Sequence, residues 1–481
     1  MTALPRSRPL PRRRLAPVLL ACALALAGAP ALAQQPASST VSGHGGVVGL
    51  QASYLDAAHW IARLPDPDRV ILDRAGIAAQ NARMRQLDSS IVDLRALPAV
   101  LERDWVSARL QQVSTAPTRE LYDQTGAVIT AKALRKVLAN VAADRVPAQR
   151  ALRYGLVTQR AALRAFPTTL RAFSTKGETD IDRFQESALF PGDAVAVLHE
   201  SADGQWLFVA SERYTAWIEK QYVGIGDAAT VFGYGASGPY RVVTGATART
   251  VYTREEPRVS ELQLDMGVRV PVIADWPAMQ QVNGQQSHAG YVVQLPVRNE
   301  DGSLALVPAL LPRSADTAPD YLALTPRNLL TQAFKFLGER YGWGHSYNAR
   351  DCSGFISEIY RAMGVLLPRN TSAQAISPAL DRVPLAEADA ATRQQAVAAL
   401  DVGDLIYIPG HVMMAIGQVD GTTWLIHDTN GGSWLDANGQ RVRAALNGVS
   451  VTPLQPMMAS DTATYIDRIT NIQRIRPLTQ K

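Results

Sequence analysis

The sequence predicts a multidomain α+β protein, and three observations support this fold class. The 481 residues are enough for several domains, because a domain takes roughly 100–200 residues. A hydrophobic fraction of 47% and a charged fraction of 19% are typical of a globular chain, not a disordered one. The apolar residues have a helical period over 53–150, a β period over 155–316, and helices followed by strands after about residue 320.

The first 33 residues have the composition of a signal peptide. They contain five arginines and no Lys, Asp or Glu, followed by an apolar run from Leu15 to Ala27. Residues 31–33, Ala-Leu-Ala, form a cleavage site of small residues. We therefore expect an exported protein of the periplasm or cell envelope. Residues 19–22, Leu-Leu-Ala-Cys, offer the alternative of a lipid anchor at Cys22, although the sequence after Cys22 stays apolar.

The rest of the chain is electrically balanced. The chain has 48 basic and 43 acidic residues, and five of the basic ones lie in the signal segment, which leaves 43 of each sign. A chain with balanced charges lacks the excess of positive charge that is typical of proteins that bind nucleic acid, so we expect no such partner. No later run reaches the roughly 18 apolar residues of a membrane span, so we expect no transmembrane segment.

Residues 34–150 predict a linker followed by a helical region. Residues 34–46 are rich in Gln, Ser and Gly, which is typical of a mobile tether. Apolar residues recur at helical spacing from Ala75 to Met84 and from Ala133 to Ala142. We find no candidate chemistry in this region and expect His59 and Trp60 to lie in a core or an interface.

Two β-rich domains follow, at residues 155–228 and 238–316. In the first, short alternating runs from Ala194 to Leu198 and from Trp206 to Ala210 are joined by Asp203-Gly204, which favours a hairpin turn. In the second, strands are predicted from Tyr291 to Leu295 and from Leu304 to Val307. Both patterns are typical of small β-barrels.

Residues 320–478 predict a domain with helices first and an antiparallel sheet after them. Thr325 before Pro326 is a typical helix start, and an Ala-rich helix is expected from Ala388 to Leu400. Strands are predicted from Leu405 to Ile408, from His411 to Ile416 and from Trp424 to His427.

Cys352 is the first candidate for chemistry. It precedes Phe355, Ile356 and Ile359, whose spacing predicts a helix with a buried face that ends at Gly364. At the first turn of a helix, unpaired N–H groups and the dipole favour a thiolate. The alternative is a small buried hydrophobic residue. Once the signal peptide is removed, however, Cys352 is the only cysteine, and a lone thiol in an oxidising compartment favours a catalytic role.

A cysteine nucleophile needs a base and a group that orients the base, and two histidines meet this need. His411 begins a predicted strand and His427 ends the next one, whereas His345 lies on a loop. A tight turn at Asp420-Gly421 would place His427 opposite Met414, so pairing of the two histidines requires a longer loop or a diagonal contact. No cluster with metal-ligand spacing lies near them, and we expect no metal and no cofactor.

The motifs RYGWGHSYNARDCSGF, LPRNTSAQ, VGDLIYIPGHVMMAIG and WLIHDTNGG resemble those of the NlpC-type papain-like cell-wall cysteine peptidases, over about Tyr321 to Ile475. The segment LHESADGQWLFVASERYTAWI resembles the first of two bacterial SH3-type barrels that precede this domain in some members. The resemblance therefore implies an N-terminal helical stabilising region, two SH3-like barrels and a papain-like catalytic domain.

The resemblance also implies roles for the catalytic residues. Cys352 would be the nucleophile, His411 the base and His427 the orienting residue, although the spacing between the histidines is longer than the family's pattern. The implied activity is hydrolysis of peptidoglycan stem peptides or muropeptides, between γ-D-glutamate and the diamino acid of peptides with a free N-terminal L-alanine. The alternatives are an inactive wall-binding protein and an amidase or acyltransferase on the same scaffold.

Four residues are expected at the substrate. The resemblance implies that Tyr341, Asp351 and Ser353 lie near the substrate amine, and that Tyr214 or Trp217 of the first barrel closes the pocket. From the residues alone, Asp351 could instead cap the Cys352 helix, and Tyr341 could be a core aromatic.

Overall fold

The computed structural model describes residues 43–436 and 438–478, so the predicted signal peptide and Cys22 lie outside the described residues. Among the described residues, no helix has the length and apolar character needed to cross a membrane. The described chain forms one compact unit.

The N-terminal region is helical, as predicted. Its elements are α1 (Ala57–Ile61), α2 (Arg74–Leu87), β1 (Val100–Glu102), α3 (Arg103–Val113) and α4 (Ala131–Asn140). Side chains of Asp56, Asp73 and Thr130 accept hydrogen bonds from the first turns of α1, α2 and α4, which explains where these helices begin. The prediction that α4 extends to Ala142 is wrong, because Ala142 adopts a left-handed φ of 51°.

The N-terminal region contributes to two different cores. Trp60, Ile77 and Met84 pack with the helices that follow residue 325, whereas Val106 and Leu110 pack with the strands that begin near residue 149. The region is therefore a bridge between the middle and the end of the chain.

The first β region, residues 149–226, forms a curved antiparallel sheet. Its strands are β2 (Gln149–Ala151), β3 (Arg153–Val157), β4 (Ala161–Arg164), β5 (Gln185–Leu189), β6 (Ala194–Glu200), β7 (Trp206–Ala210), β8 (Thr215–Glu219) and β9 (Val223–Gly226). Strands β3 to β9 form a seven-stranded sheet in the order β5-β4-β8-β7-β6-β3-β9, and β2 pairs with β1. The predicted hairpin at Asp203-Gly204 is confirmed between β6 and β7.

The second β region, residues 240–318, follows the short helix α5 (Ala228–Gly233). Its strands are β10 (Tyr240–Val243), β11 (Thr247–Arg249), β12 (Gln263–Asp265), β13 (Arg269–Pro271), β14 (Gly290–Arg298), β15 (Leu304–Pro312) and β16 (Thr317–Ala318). Three small sheets, β13-β10-β16, β11-β12 and β14-β15, enclose one apolar core that includes Val270, Val293 and Leu311. The predicted strands at 291–295 and 304–307 lie within the long hairpin β14-β15.

The C-terminal region has the predicted order of helices followed by an antiparallel sheet. Its helices are α6 (Pro326–Phe334), α7 (Cys352–Arg361), α8 (Thr371–Ile376) and α9 (Ala390–Ala398). Its strands are β17 (Asp381–Pro384), β18 (Leu405–Ile408), β19 (His411–Val419), β20 (Thr422–Thr429), β21 (Gly432–Leu435), β22 (Arg441–Ala444), β23 (Gly448–Pro453) and β24 (Asn471–Arg474).

The main sheet of this region supports α7. Its strands have the order β17-β24-β18-β19-β20-β23, and all neighbours are antiparallel. Phe355 and Ile356 of α7 share a core with Met414 of β19 and Ile426 of β20. The sheet therefore holds the first turn of α7, and with it Cys352, above the start of β19.

Candidate active site

Cys352 is the first residue of α7, as predicted, and its position is fixed by a cap and a glycine. The carboxylate of Asp351 accepts a hydrogen bond from the Gly354 N–H at 2.8 Å, which defines the helix start. A side chain at 354 would collide with the His345 ring, which lies 2.6 Å from the position of its Cβ. The Cys352 residue is only 6% exposed.

Two groups contact the Cys352 sulfur. The Thr371 hydroxyl oxygen, at the start of α8, lies 3.5 Å from Sγ, and the main-chain N–H of Val412 donates to the sulfur. Because Val412 follows His411 in the chain, the start of β19 lies beside the Cys352 sulfur.

The two predicted histidines are joined. His411 Nε2 lies 2.7 Å from His427 Nδ1, and His427 Nε2 lies 2.9 Å from the Thr452 hydroxyl. If each imidazole donates away from Cys352, His411 donates to His427 and His427 donates to Thr452. This set of tautomers leaves Nδ1 of His411 as a free acceptor, which is the form that a base needs.

A β-bulge brings the histidines together. The turn at Asp420-Gly421 is tight, since Val419 pairs with Thr422, and an unbroken register would place His427 opposite Met414. However, the register shifts between Ala415 and Gly417, and Met414 pairs with Ile426. His427 therefore continues opposite Met413, which shares a face of the sheet with His411, and the contact between the histidines is diagonal.

Both reacting groups are neutral in the resting site. Burial raises the pKa of Cys352 to about 11, with the Asp351 charge adding to the effect, while the contacts with Thr371 and Val412 lower it. Burial lowers the pKa of His411 to about 4 and that of His427 well below its usual value. The resting pair is thus a thiol and an imidazole, whereas the position at the helix start alone favours a thiolate.

Asp351 has a structural role in addition to any contact with substrate. Its carboxylate accepts from the Gly344 N–H at 3.0 Å, from the Gly354 N–H, and twice from the Arg369 guanidinium at 2.8 and 3.1 Å. Burial disfavours the charge, but Arg369 and these hydrogen bonds hold the pKa of Asp351 at about 2. Ser353 donates to Asp351 and accepts from Arg369, so it supports the same pair.

The three aromatic candidates, Trp217, Tyr214 and Tyr341, lie in different surroundings. Trp217 is fully buried in the core of the first β region and donates to the Ser114 hydroxyl, so the structure does not place it at a cleft. Tyr214 donates to the Glu186 carboxylate and also contacts Asn370, which precedes Thr371. Tyr341 is buried, and burial raises the pKa of its hydroxyl. Negative charge on the neighbouring Cys352 and Asp351 acts in the same direction.

Arg369, Thr371 and Glu186 also belong to the site, although the sequence does not single them out. Arg369 and Thr371 lie in the LPRNTSAQ motif, whose resemblance to the family implies no role for either residue. Arg369 uses every N–H of its guanidinium, since it also donates to Ser187 at 2.7 Å and to His345 Nδ1 at 2.9 Å. Nothing in the local sequence distinguishes Glu186, whose pKa is raised by burial although the Tyr214 hydroxyl lowers it.

Comparison with known proteins gives two matches to family models. Residues 338–457 match the model of the NlpC/P60 family, and residues 171–219 match that of the SH3 domain of the SH3b1 type. The chain therefore carries an NlpC/P60 domain. This domain contains Cys352, His411 and His427, and the SH3b1 match covers strands β5 to β8 and Tyr214. An NlpC/P60 domain is consistent with a cell-wall peptidase that acts on peptidoglycan.

One solved structure shows the same fold over most of the chain. An NlpC/P60 endopeptidase from Photobacterium damselae subsp. piscicida is similar over 87% of this chain and 96% of its own, with 16% identity and a TM-score of 0.69. An NlpC/P60 family protein from Bacillus cereus is 21% identical over 67% of this chain and all of its own, with a TM-score of 0.46. No curated protein matches the sequence.

Within 43–436 and 438–478, no group of three or more His, Cys, Asp or Glu side chains could hold a metal ion.

Proposed function

We propose that the protein is an exported cysteine endopeptidase that hydrolyses peptidoglycan stem peptides between γ-D-glutamate and the diamino acid. The observation that carries this proposal is the arrangement of Cys352 beside the start of β19 with the His411–His427–Thr452 chain behind it. Such an arrangement is the nucleophile, base and orienting group of a cysteine peptidase.

The first half of the reaction uses the neutral resting pair. As Sγ of Cys352 attacks the amide carbonyl carbon, its proton passes to Nδ1 of His411. The oxyanion that forms is stabilised by main-chain N–H groups of the first turn of α7, which have no acceptor inside the helix. The Gly354 N–H is already used by Asp351, so those of Cys352 and Ser353 are the available donors.

The second half regenerates the enzyme. The tetrahedral intermediate collapses as His411 gives its proton to the amine of the diamino acid, which leaves and produces a thioester on Cys352. A water molecule then attacks the thioester, with His411 as its base, and releases the glutamate carboxylate and the thiol. Throughout, His427 and Thr452 hold the imidazole ring of His411 through its Nε2, which leaves Nδ1 for the proton transfers.

Specificity for a free N-terminal L-alanine is supported by two carboxylates near the cleft. The positive charge of Arg369 acts to lower the pKa of both Asp351 and Glu186. Glu186, however, forms no ion pair among the described residues. A terminal ammonium would supply the missing cation for Glu186, with the Tyr214 hydroxyl beside it. Because Asp351 already pairs with Arg369, Glu186 is the better candidate for this contact.

The test is the mass of the products. Purified protein is incubated with a free L-Ala-γ-D-Glu-diamino acid tripeptide, and we expect release of the L-Ala-D-Glu dipeptide and the free diamino acid. Cys352→Ser should give no product, because a hydroxyl beside a base with a pKa of about 4 is a poor nucleophile. Ser460→Ala, an exposed hydroxyl change, is the control and should match the parent. Equal turnover by Cys352→Ser would overturn the proposal.

A further inference from the structure

The loop before the nucleophile has a strained backbone. Between Gly342 and Asp351, His345, Tyr347 and Asn348 adopt φ values of 67°, 60° and 57°, in the left-handed region that favours glycine. A loop with three such residues persists only where its surroundings hold it. Since the loop ends one residue before Asp351 and two before Cys352, whatever holds it also places the active site.

Arg160 of the first β region holds this loop at three points. It lies between β3 and β4, and its guanidinium donates to the His345 carbonyl at 3.1 Å, the Asn348 side chain at 3.0 Å and the Ala349 carbonyl at 2.7 Å. The Arg160 side chain is only 9% exposed. Each bond satisfies an oxygen that the irregular loop cannot pair internally.

Asp265 of the second β region holds the end of the loop. It terminates β12, its side chain is fully buried, and its carboxylate lies 2.7 Å from Nη2 of Arg350 and 3.2 Å from Nε of Arg160. Arg350 is 1% exposed and also pairs with Glu339 and Glu358, each at 2.9 Å. The two β regions therefore meet at one buried carboxylate under the catalytic loop.

Hydrogen bonds and ion pairs connect Arg350 continuously to Asp351, the residue that caps α7. Glu358 of α7 contacts His345 Nε2 at 3.1 Å, His345 Nδ1 accepts from Arg369 at 2.9 Å, and Arg369 pairs with Asp351. Because the Glu358 contact requires a proton on Nε2, the other nitrogen of His345 is an acceptor. Asp265 is thus linked to Asp351 through charged and polar groups that are all buried.

We propose that Arg160 and Asp265 are positioning residues for catalysis, through which the two β regions hold residues 343–350 in the strained conformation that presents Asp351 and Cys352. Neither residue is expected to touch the substrate. The proposal rests on the proposed function for its readout, but it assigns the β regions a part in building the active site, beyond any part in binding substrate.

The experiment compares kcat and KM of Arg160→Gln and Asp265→Asn with those of the parent on the free tripeptide. Folded protein is isolated by size-exclusion chromatography and its fold is checked by circular dichroism before each assay, so unfolded molecules do not count. We expect kcat to fall at least tenfold with KM within about twofold, because the nucleophile is displaced while the substrate contacts remain. Arg153→Gln and Asp301→Asn, matched exposed changes in the same two β regions, should behave like the parent.

Arg160→Lys keeps the proposal falsifiable if Asp265→Asn does not fold, since breaking a buried ion pair is strongly destabilising. This variant retains the charge opposite Asp265 but has one donor group in place of the planar guanidinium, so its kcat should lie between those of the parent and Arg160→Gln. Where Asp265→Asn folds, the double variant should lose less kcat than the product of the single losses, because both residues act on one loop. A kcat of Arg160→Gln equal to that of the parent, or a change in KM with no change in kcat, would overturn the proposal. Inactivity of the parent itself would instead count against the proposed function.

Discussion

The reactive residues are poised as a neutral pair. Burial disfavours the thiolate of Cys352 and the imidazolium of His411 alike, and the contacts from Thr371 and Val412 are too weak to reverse this. Charge would develop only during attack on the carbonyl carbon, when it would move from sulfur to an oxyanion held by the helix N–H groups. A neutral resting pair also protects the Cys352 thiol from oxidation, since the thiolate is the reactive form.

The first prediction concerns the alkylation of Cys352. With the pKa of Cys352 raised to about 11, the rate of alkylation of the free enzyme should rise with pH up to that value. A thiolate–imidazolium pair would instead react at nearly constant rate from mildly acidic pH upward. Mass spectrometry of the modified peptide measures the rate, and a plateau below pH 7 would contradict the neutral pair.

The second prediction concerns the pH dependence of kcat/KM. His411 acts as a base only when neutral, and its pKa of about 4 places the acidic limb near that value instead of near 6.5. The same shift destabilises the fold between those values, because the unfolded chain binds protons there that the folded chain does not. Stability should therefore decrease as the pH falls from 6.5 toward 4, and circular dichroism at each pH separates the two effects.

The third prediction orders the residues behind the base. His411→Ala should abolish turnover as Cys352→Ser does, whereas His427→Ala and Thr452→Val should lower kcat by smaller factors, because they orient the ring and exchange no proton with the substrate. Thr452→Val preserves shape and removes the hydroxyl that His427 contacts at 2.9 Å. Thr462→Val, an exposed threonine in the same region, is its control. If His427→Ala matches the parent, another group orients His411.

At the scale of elements, the bulge in β19 places His411 and His427 on the same face of the sheet. It offsets β19 against β20 by one residue, and a one-residue offset moves a side chain to the other face of a sheet. The N-terminal region packs against the bulge, because the Trp60 ring lies against Gly417, whose φ is 144°. An N-terminal aromatic thus supports the strand pairing that unites His411 and His427.

The fourth prediction tests this packing. In Gly417→Ala the new Cβ would lie 3.0 Å from the Trp60 ring, closer than ordinary contact, and φ would be strained as well. Gly421→Ala, in the turn of the same hairpin at φ 75°, has strain but nothing within 4 Å. We expect Gly417→Ala to lose about 1–3 kcal/mol more unfolding free energy than Gly421→Ala in urea titrations. Equal losses would show that Trp60 does not constrain the bulge.

At the scale of the whole molecule, the active site is assembled by contacts between regions. Trp343 donates to the Gln185 carbonyl and Arg369 to the Ser187 hydroxyl, both in the first β region, while Arg350 binds Asp265 of the second. Tyr214 reaches Asn370 of the NlpC/P60 domain from the other side. The β regions are therefore parts of the site and are more than modules attached to it.

The fifth prediction concerns specificity. Acetylating the alanine amine of the free tripeptide should lower kcat/KM at least tenfold, about 1.4 kcal/mol, because Glu186 would lose its cation. Glu186→Gln should remove most of that difference, whereas Asp351→Asn should slow both peptides, since Asp351 also caps α7 and pairs with Arg369. Glu178→Gln is a control in the same β region. Equal rates of the parent on both peptides would favour an enzyme that acts on intact peptidoglycan.

The sequence by itself determined the features that depend on neighbours in the chain. Helical spacing and a capping carboxylate place Cys352 at the start of α7, and alternation with turn residues places His411 at the start of β19. The order of helices before an antiparallel sheet gave the fold class in the same way. These patterns are local, because caps, turns and periodicity involve residues only a few positions apart.

The tertiary structure alone decided how distant residues meet. No periodicity reveals the bulge at Ile416, so the sequence left open whether a longer loop or a diagonal contact brings His427 to His411. The partners of Asp351 and Arg350, which are Arg369 and Asp265, lie 18 and 85 positions away, and their side chains have no pattern of their own. Burial decided the charges as well, because the helix dipole favours a thiolate by only about 0.3–2 kcal/mol and desolvation outweighs it in a closed site.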